Sequence, residues 1–292
     1  MDWSGILQVL PQTAVSGLLM GLVYALISVG LSLIYGLMNI VNFAHGEYLM
    51  LAMYGAFWGW FLFSIDPLYS IPISTIIMAL LGVLTYFGII KRILQAPSLA
   101  QIFGTYGILI FLRGMAQLLW TADFQNVVNP IVSGRIDIFG LHLGTGKVVA
   151  AVGAGATLII LALILNKTKL GLSVRATASD RKAAELMGIN TDKVLAIGWA
   201  LGIGCTGVAG SLMVNFNYVS PQVGALFGLL SFVAVALGGF GSLTGAFVGA
   251  VLIGLFESIG GVLLGPSYKY AIVFGLYLVA VLLRPVLAPR SK

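Results

Sequence analysis

The sequence predicts an all-α membrane protein, a polytopic transmembrane helical bundle of 8–9 crossings with broken or re-entrant segments. Three observations carry this. Only 8% of the 292 residues are charged while 60% are hydrophobic. Soluble domains carry about 25% charge, so too little polar surface is present to cover a water-soluble body. The apolar runs approach or exceed the roughly 20 residues that cross a bilayer, and they do not alternate as barrel strands would. Finally, one polar stretch of 28 residues, 166–193, holds six of the fifteen basic residues and three of the nine acids. Such a stretch belongs in water, and its positive charge favours the cytoplasmic face.

The first span is expected over residues 13–35, where Gly17, Gly21 and Gly30 allow close helix contact. A polar cluster follows, with Asn39, Asn42, His45 and Glu47 squeezed between apolar runs. The second span, 48–63, is short unless it starts inside that cluster. Asp66–Pro67 marks a turn. The third span, 71–90, closes on Lys91–Arg92, and Ala96–Pro97 turns the chain into a fourth, 99–120, which contains Arg113. Residues 121–144 form a longer loop whose V-S-G-R-I-D-I-F-G portion alternates weakly, as a small hairpin would. The fifth span is 148–165.

Within the polar stretch, Ser179 or Asp180 can cap a short helix that Gly188 ends. The sixth span is 194–214. Residues 225–261 are too many for one crossing and are split by Leu237-Gly238-Gly239-Phe240-Gly241-Ser242. They divide into a short element, 226–237, and a span, 243–261. Twelve residues reach only about 18 Å as helix, short of the roughly 30 Å hydrocarbon core. The last span, 268–283, closes on Arg284–Pro285.

Nine crossings with the polar stretch inside put the N-terminus outside and the C-terminus in the cytoplasm. Lys91, Arg92, the six basic residues of 166–193, Arg284, Arg290 and Lys292 then face inward, eleven in all. Arg135, Lys147 and Lys269 face outward, a strong positive-inside bias. No basic residue precedes the first apolar run, so no cleavable signal peptide is expected.

Enzyme chemistry finds little support. Leu143-Gly144-Thr145-Gly146-Lys147 has Leu141 and Val148 where a phosphate loop needs Gly and Ser or Thr. His45 and His142 are the only histidines and lie in different regions, so no metal site is expected. The basic residues are spread over loops and tail, which does not indicate nucleic acid. Cys205 is alone and apolar-flanked, a packing residue.

Ala183-Ala184-Glu185-Leu186-Met187-Gly188 resembles the loop of ABC importer permeases. The order Ala-Ala-Glu departs from the common Glu-Ala-Ala and matches a divergent branch. Gly36-Leu37-Met38-Asn39-Ile40-Val41-Asn42-Phe43-Ala44-His45-Gly46-Glu47, the 237–242 segment and the 171–190 loop together resemble the permeases of branched-chain amino acid ABC importers. Within these, the likeness is greatest to the smaller permease of the high-affinity leucine/isoleucine/valine system. Urea and short-chain amide importers use similar permeases.

The resemblance covers nearly the whole chain as a single permease domain. It implies a second related permease, two cytoplasmic ATPase subunits that use the ATP, and a periplasmic or extracellular substrate-binding protein. This chain is then a non-catalytic subunit in a bacterial inner membrane, with no cofactor of its own. The resemblance makes 166–193 a cytoplasmic coupling loop, with Ala183, Ala184, Glu185 and Gly188 against an ATPase. The other class, a self-contained secondary transporter, should show an acidic site in mid-membrane, and Glu257 is the one candidate well inside a span.

Three features keep two readings each. Asn39, Asn42, His45 and Glu47 form either a helix start or a gate in the path. Gly238 and Gly239 form either a tight turn or unwound backbone lining that path. Arg113 and Glu257 fall at similar depth in the outer half of their spans. An isolated charge there costs roughly 2.5–3.5 kcal/mol. They either pair, or Arg113 snorkels while Glu257 faces a wet cavity.

Overall fold

A computed structural model describes residues 3–138 and 140–287. The basic tail residues Arg290 and Lys292 lie outside the described residues. The helices are α1 (Trp3–Met38), α2 (His45–Phe63), α3 (Pro67–Thr85), a π-helical turn (Tyr86–Ile90), α4 (Lys91–Ile93) and α5 (Ser98–Trp120). They continue as α6 (Thr145–Lys167), α7 (Lys169–Ser179), α8 (Arg181–Leu186), α9 (Thr191–Met213), α10 (Val223–Gly238), α11 (Leu243–Leu264) and α12 (Lys269–Leu287). Among the described residues, six stretches are long and apolar enough to cross a membrane, in α1, α3–α4, α5, α6, α9 and α11. α10 is apolar but shorter.

The all-α expectation needs one amendment. Strands β1 (Arg135–Ile138) and β2 (Leu141–Gly144) form an antiparallel hairpin with Asp137 opposite His142. The polar stretch also holds two helices where one was expected. Thr168 starts α7 by accepting from Gly171 N at 3.1 Å. Asp180 starts α8 by accepting from Ala183 N at 3.0 Å, and Gly188 ends the unit at φ +81°.

α1 and α9 form the centre: 78% and 83% of their most apolar windows are buried, against 22–33% for the other spans. The large aliphatic and aromatic side chains along α5 and α6 are therefore left for lipid or partner subunits. Glycine sets the main crossing. α1 runs antiparallel to α11, and a Cβ on Gly21 would lie 2.8 Å from Val251 Cα. Dispersion between close backbones holds such helices where lipid supplies no hydrophobic drive. The third span, α3 through α4, runs antiparallel to α9, from Ser74 Oγ donating to Gly207 O at 3.3 Å to Lys91 pairing with Asp192 at 2.8 Å.

α2 and α10 are offset from the rest. His45, the first residue of α2, bonds to Ile27 O, which lies near the middle of the Val9–Met38 span. The eleven steps from Ile27 to Met38 cover about 16 Å of helix. The link after Met38 thus climbs back to mid-depth before α2 begins. α10 begins at the same depth, because Gly224 and Gly228 lie against Gly46. From there α2 runs toward the hairpin end, with Tyr54 stacked on Trp120 at 4.2 Å. α10 runs the opposite way, and Gly238 meets Gly245 at the end that carries α7 and α8. Two short helices therefore start nose to nose near the middle of the bundle.

Candidate functional site

The α1–α2 link builds the polar centre. Asn39 closes α1 in a left-handed conformation, φ +55°, and its N–H donates to Tyr35 O at 2.7 Å. Asparagine tolerates that conformation better than most residues. Asn42 Oδ1 accepts from Ala44 N at 3.1 Å, and Asn42 O accepts from His45 N at 3.2 Å. Asn42 thus turns the chain just ahead of α2. His45 Nε2 donates to Ile27 O at 2.9 Å, since that carbonyl can only accept. Asn42, His45 and Glu47 are buried.

Glu47 Oε1 accepts from Arg113 Nη2 on α5. Glu47 Oε2 has no partner and faces the first turn of α10, 2.8 Å from where a Cβ on Gly224 would lie. Gly46 makes this possible. A methyl there would stand 2.8 Å from Gly228 Cα and run into Gly224 O. Glu47 and Arg113 open onto a cavity of about 520 Å³ walled mainly by apolar side chains.

Of the two readings of Arg113 and Glu257, the direct pair is not formed. Arg113 holds Glu47. Glu257 accepts from Tyr24 OH at 2.7 Å and from Lys269 Nζ at 2.7 Å. The reason is helix neighbourhood. α5 lies along the α1–α2 link and α2, with Thr105 Oγ1 donating to Val41 O at 3.0 Å and Trp120 stacked on Tyr54, while α11 packs on α1 and α12. Similar depth does not bring two charges together when their helices face different neighbours. Glu257 lines a second cavity, about 450 Å³, with Lys147, Lys269 and Tyr270. The bonds of Tyr24 and Lys269 to Glu257 escaped the sequence reading. The Gly265–Pro266 turn was the available signal, because it places the first residue of α12 within reach of α11.

Gly238 and Gly239 close the turn between α10 and α11. Gly238 ends α10 against Gly245, Gly239 adopts φ +94°, and Ser242 Oγ accepts from Gly245 N at 3.1 Å to start α11.

At the far end, Ala183, Glu185 and Gly188 are exposed, and Leu186 and Met187 are 88% and 82% exposed. Ala184, expected on the same face, is only 4% exposed and offers little surface of its own. Arg181 Nη2 donates to Asp192 Oδ1 at 3.0 Å and Arg181 Nε to Glu185 Oε1 at 3.2 Å. Thr191 Oγ1 donates to Glu185 Oε1 at 2.5 Å. The Thr191 hydroxyl, and then Arg181, hold the Glu185 carboxyl below its usual range. With Lys91 on Asp192, the network ties α8 to α4 and α9.

Residues 13–282 match the family model described as branched-chain amino acid transport system / permease component. The chain belongs to this family. It is 31% identical over 289 residues to the high-affinity branched-chain amino acid transport system permease protein BraD of Pseudomonas aeruginosa, with 94% of each chain covered. It is 29% identical to the corresponding LivH protein of Salmonella typhimurium, covering 94% of this chain and 93% of that one. The fructose import permease protein FrcC of Rhizobium meliloti is 28% identical over 73% of this chain and 63% of its own. No solved structure matches. As a branched-chain amino acid permease component, the chain is a non-catalytic membrane subunit of an ABC importer. Among the described residues no group of His, Cys, Asp and Glu could hold a metal.

Proposed function

We propose that this permease carries branched-chain amino acids inward together with a second, related permease. Two ATPase subunits drive it and a separate binding protein delivers the substrate. The single observation that carries the reading is α8: a short, capped helix displaying Leu186 and Met187 on the polar stretch at one end of an apolar bundle. Exposed apolar side chains on a polar cytoplasmic unit fit a protein groove better than water. The docking face is Ala183, Glu185, Leu186, Met187 and Gly188. Docking motion passes from Arg181 to Asp192 and Lys91, and so to α9 and the end of the third span.

The same reading places α8 in the cytoplasm, the hairpin and N-terminus outside, and the C-terminus inside. It takes nine crossings, with α2 and α10 as the two short ones. Asn39, Asn42 and His45 fix the start of α2 beside the path, and Gly238 and Gly239 let α10 turn sharply into α11.

The test uses the assembled importer in proteoliposomes. Cysteine at Leu186 should crosslink to an ATPase subunit, and Met187→Asp should abolish ATP-driven leucine import while the permease still inserts. No crosslink together with full import by the Met187→Asp variant would refute the docking face. Leucine uptake by the permease without ATPase would instead favour a secondary transporter, and preference for urea would move the substrate class.

A further inference from the structure

The cavity at the α2–α10 junction carries two unused, buried, opposite polar groups. Glu47 Oε2 lacks a hydrogen-bond partner although Glu47 is 1% exposed. Arg113 Nε is likewise buried without one. Burying an unpaired acceptor and an unpaired donor costs free energy that a bound group can recover. Both residues line the same cavity of about 520 Å³, inside the ~300–1,000 Å³ range of small-ligand sites.

Helix ends add to this. α2 and α10 both start here, and no side chain caps either start. A helix N-terminus behaves as roughly half a positive charge. The ion pair is neutral overall, so the two helix ends leave the junction attractive to an anion. The unpartnered Glu47 oxygen gives an adjacent point attractive to a cation. Apolar side chains make up much of the rest of the lining, with Phe43 and Phe232 rings 5.2 Å apart and Leu109 and Leu229 also on it.

We propose that this junction is a transient intramembrane subsite for the zwitterionic head of an α-amino acid with an aliphatic side chain. The substrate carboxylate is held by Arg113 and the start of α10. Its ammonium is held by Glu47 Oε2, and its side chain lies on the Phe43–Phe232 wall. This deepens the importer reading and rests on it.

The probe is L-leucine added to the purified importer complex without its binding protein, read by saturation-transfer NMR. Leucinamide keeps the ammonium and lacks the carboxylate; 4-methylpentanoate does the reverse. Leucine should give contact signals, and each analogue should bind about ten- to a hundredfold more weakly, the loss expected for one charged hydrogen-bonding partner. Glu47→Gln and Arg113→Gln should each lower import at saturating binding protein by a similar factor. The double variant should stay impaired. Leu229→Trp leaves the ion pair alone and narrows the apolar wall, so it should weaken leucine signals more than alanine signals.

Equal binding of all three probes, or no leucine signal, overturns the subsite. So does wild-type import by the double variant, which would make the pair a structural lock only. A wild-type complex importing no branched-chain amino acid would take down the importer reading and this substrate with it. Wild-type import alongside full-rate variants overturns the subsite alone.

Discussion

Neutralising Glu47 leaves Arg113 with its carboxylate partner gone. Glu47 is 1% exposed at its side chain and Arg113 27%. Breaking a buried ion pair from one side costs about 3–5 kcal/mol. Arg113 keeps some access to solvent, so the cost should fall at the low end, about 3 kcal/mol. Glu47→Gln and Arg113→Gln should each destabilise by roughly that amount, while the double variant should lose much less than their sum. The coupling free energy is then about 2 kcal/mol or more, within the range seen for residues in contact. The mismatched cycle, Arg113→Gln with Glu257→Gln, should be additive to within about 0.5 kcal/mol, because the two charges share no partner. Unfolding of the purified permease in graded denaturing detergent measures all three. Strong coupling between Arg113 and Glu257, or additivity between Arg113 and Glu47, would refute the helix neighbourhood described above.

Gly46→Ala would set a methyl against Gly228 Cα at 2.8 Å; it should destabilise the bundle by about 1–3 kcal/mol and depress leucine import, as thermal melts and uptake assays would show. Gly210→Ala, whose Cβ would lie 2.9 Å from Leu49 O, should impair import while leaving basal ATP hydrolysis running, and normal coupling would count against motion at that crossing. Asp192→Asn weakens pairs with Lys91 and Arg181 whose side chains are 34–45% exposed. Such pairs hold about 0–1 kcal/mol each, so melting should barely move while ATP consumed per leucine imported rises. Glu185 has its pKa lowered by Thr191 and Arg181, so its contacts are fully present above the ordinary carboxylate range and are lost only as pH falls through the depressed pKa. Coupling should therefore be flat from neutral pH down to that range in wild type, and Glu185→Gln should remove the acid limb attributable to this group.

Helix positions were legible because apolar run length is a local quantity. So were the starts of α8 and α11, since Asp180 and Ser242 bond to amides three residues on. The hairpin was partly legible from the alternation in V-S-G-R-I-D-I-F-G, which holds its first strand, while the second, Leu141–Gly144, lies beyond that portion. Which charges meet was not legible. Counting along a span gives depth, but not the direction a side chain faces, and Arg113 and Glu257 face different helices. The polar cluster was placed at the end of the first span on the premise that the second starts where the first stops. The link after Met38 instead climbs back, and only the long-range contacts of His45 with Ile27 and Gly46 with Gly224 show it. The burial of Ala184 was not legible for a related reason: a six-residue helix has too little periodicity to say which of its small residues is covered.

The placement of glycine explains how an event at α8 can reach the cavity. α2 is held between α9 and α10. On the α9 side Gly210 meets Leu49 and Ala52, and on the α10 side Gly46 meets Gly224 and Gly228. At both crossings glycine brings backbone against backbone, Gly210 at Leu49 O and Gly46 at Gly224 O. Such contacts suit the small sliding displacements of shear motion, whereas interdigitated cores are bistable and resist it. α9 bears Asp192 at the α8 end and Gly210 at the α2 crossing, so one rigid helix spans both. On the docking reading proposed above, a shift of α8 would be passed to Asp192 through Arg181, α9 would move as a unit, and α2 would slide against α10. The start of α2 carries Glu47, so that displacement would change the distance between Glu47 and the first turn of α10, where the cavity opens.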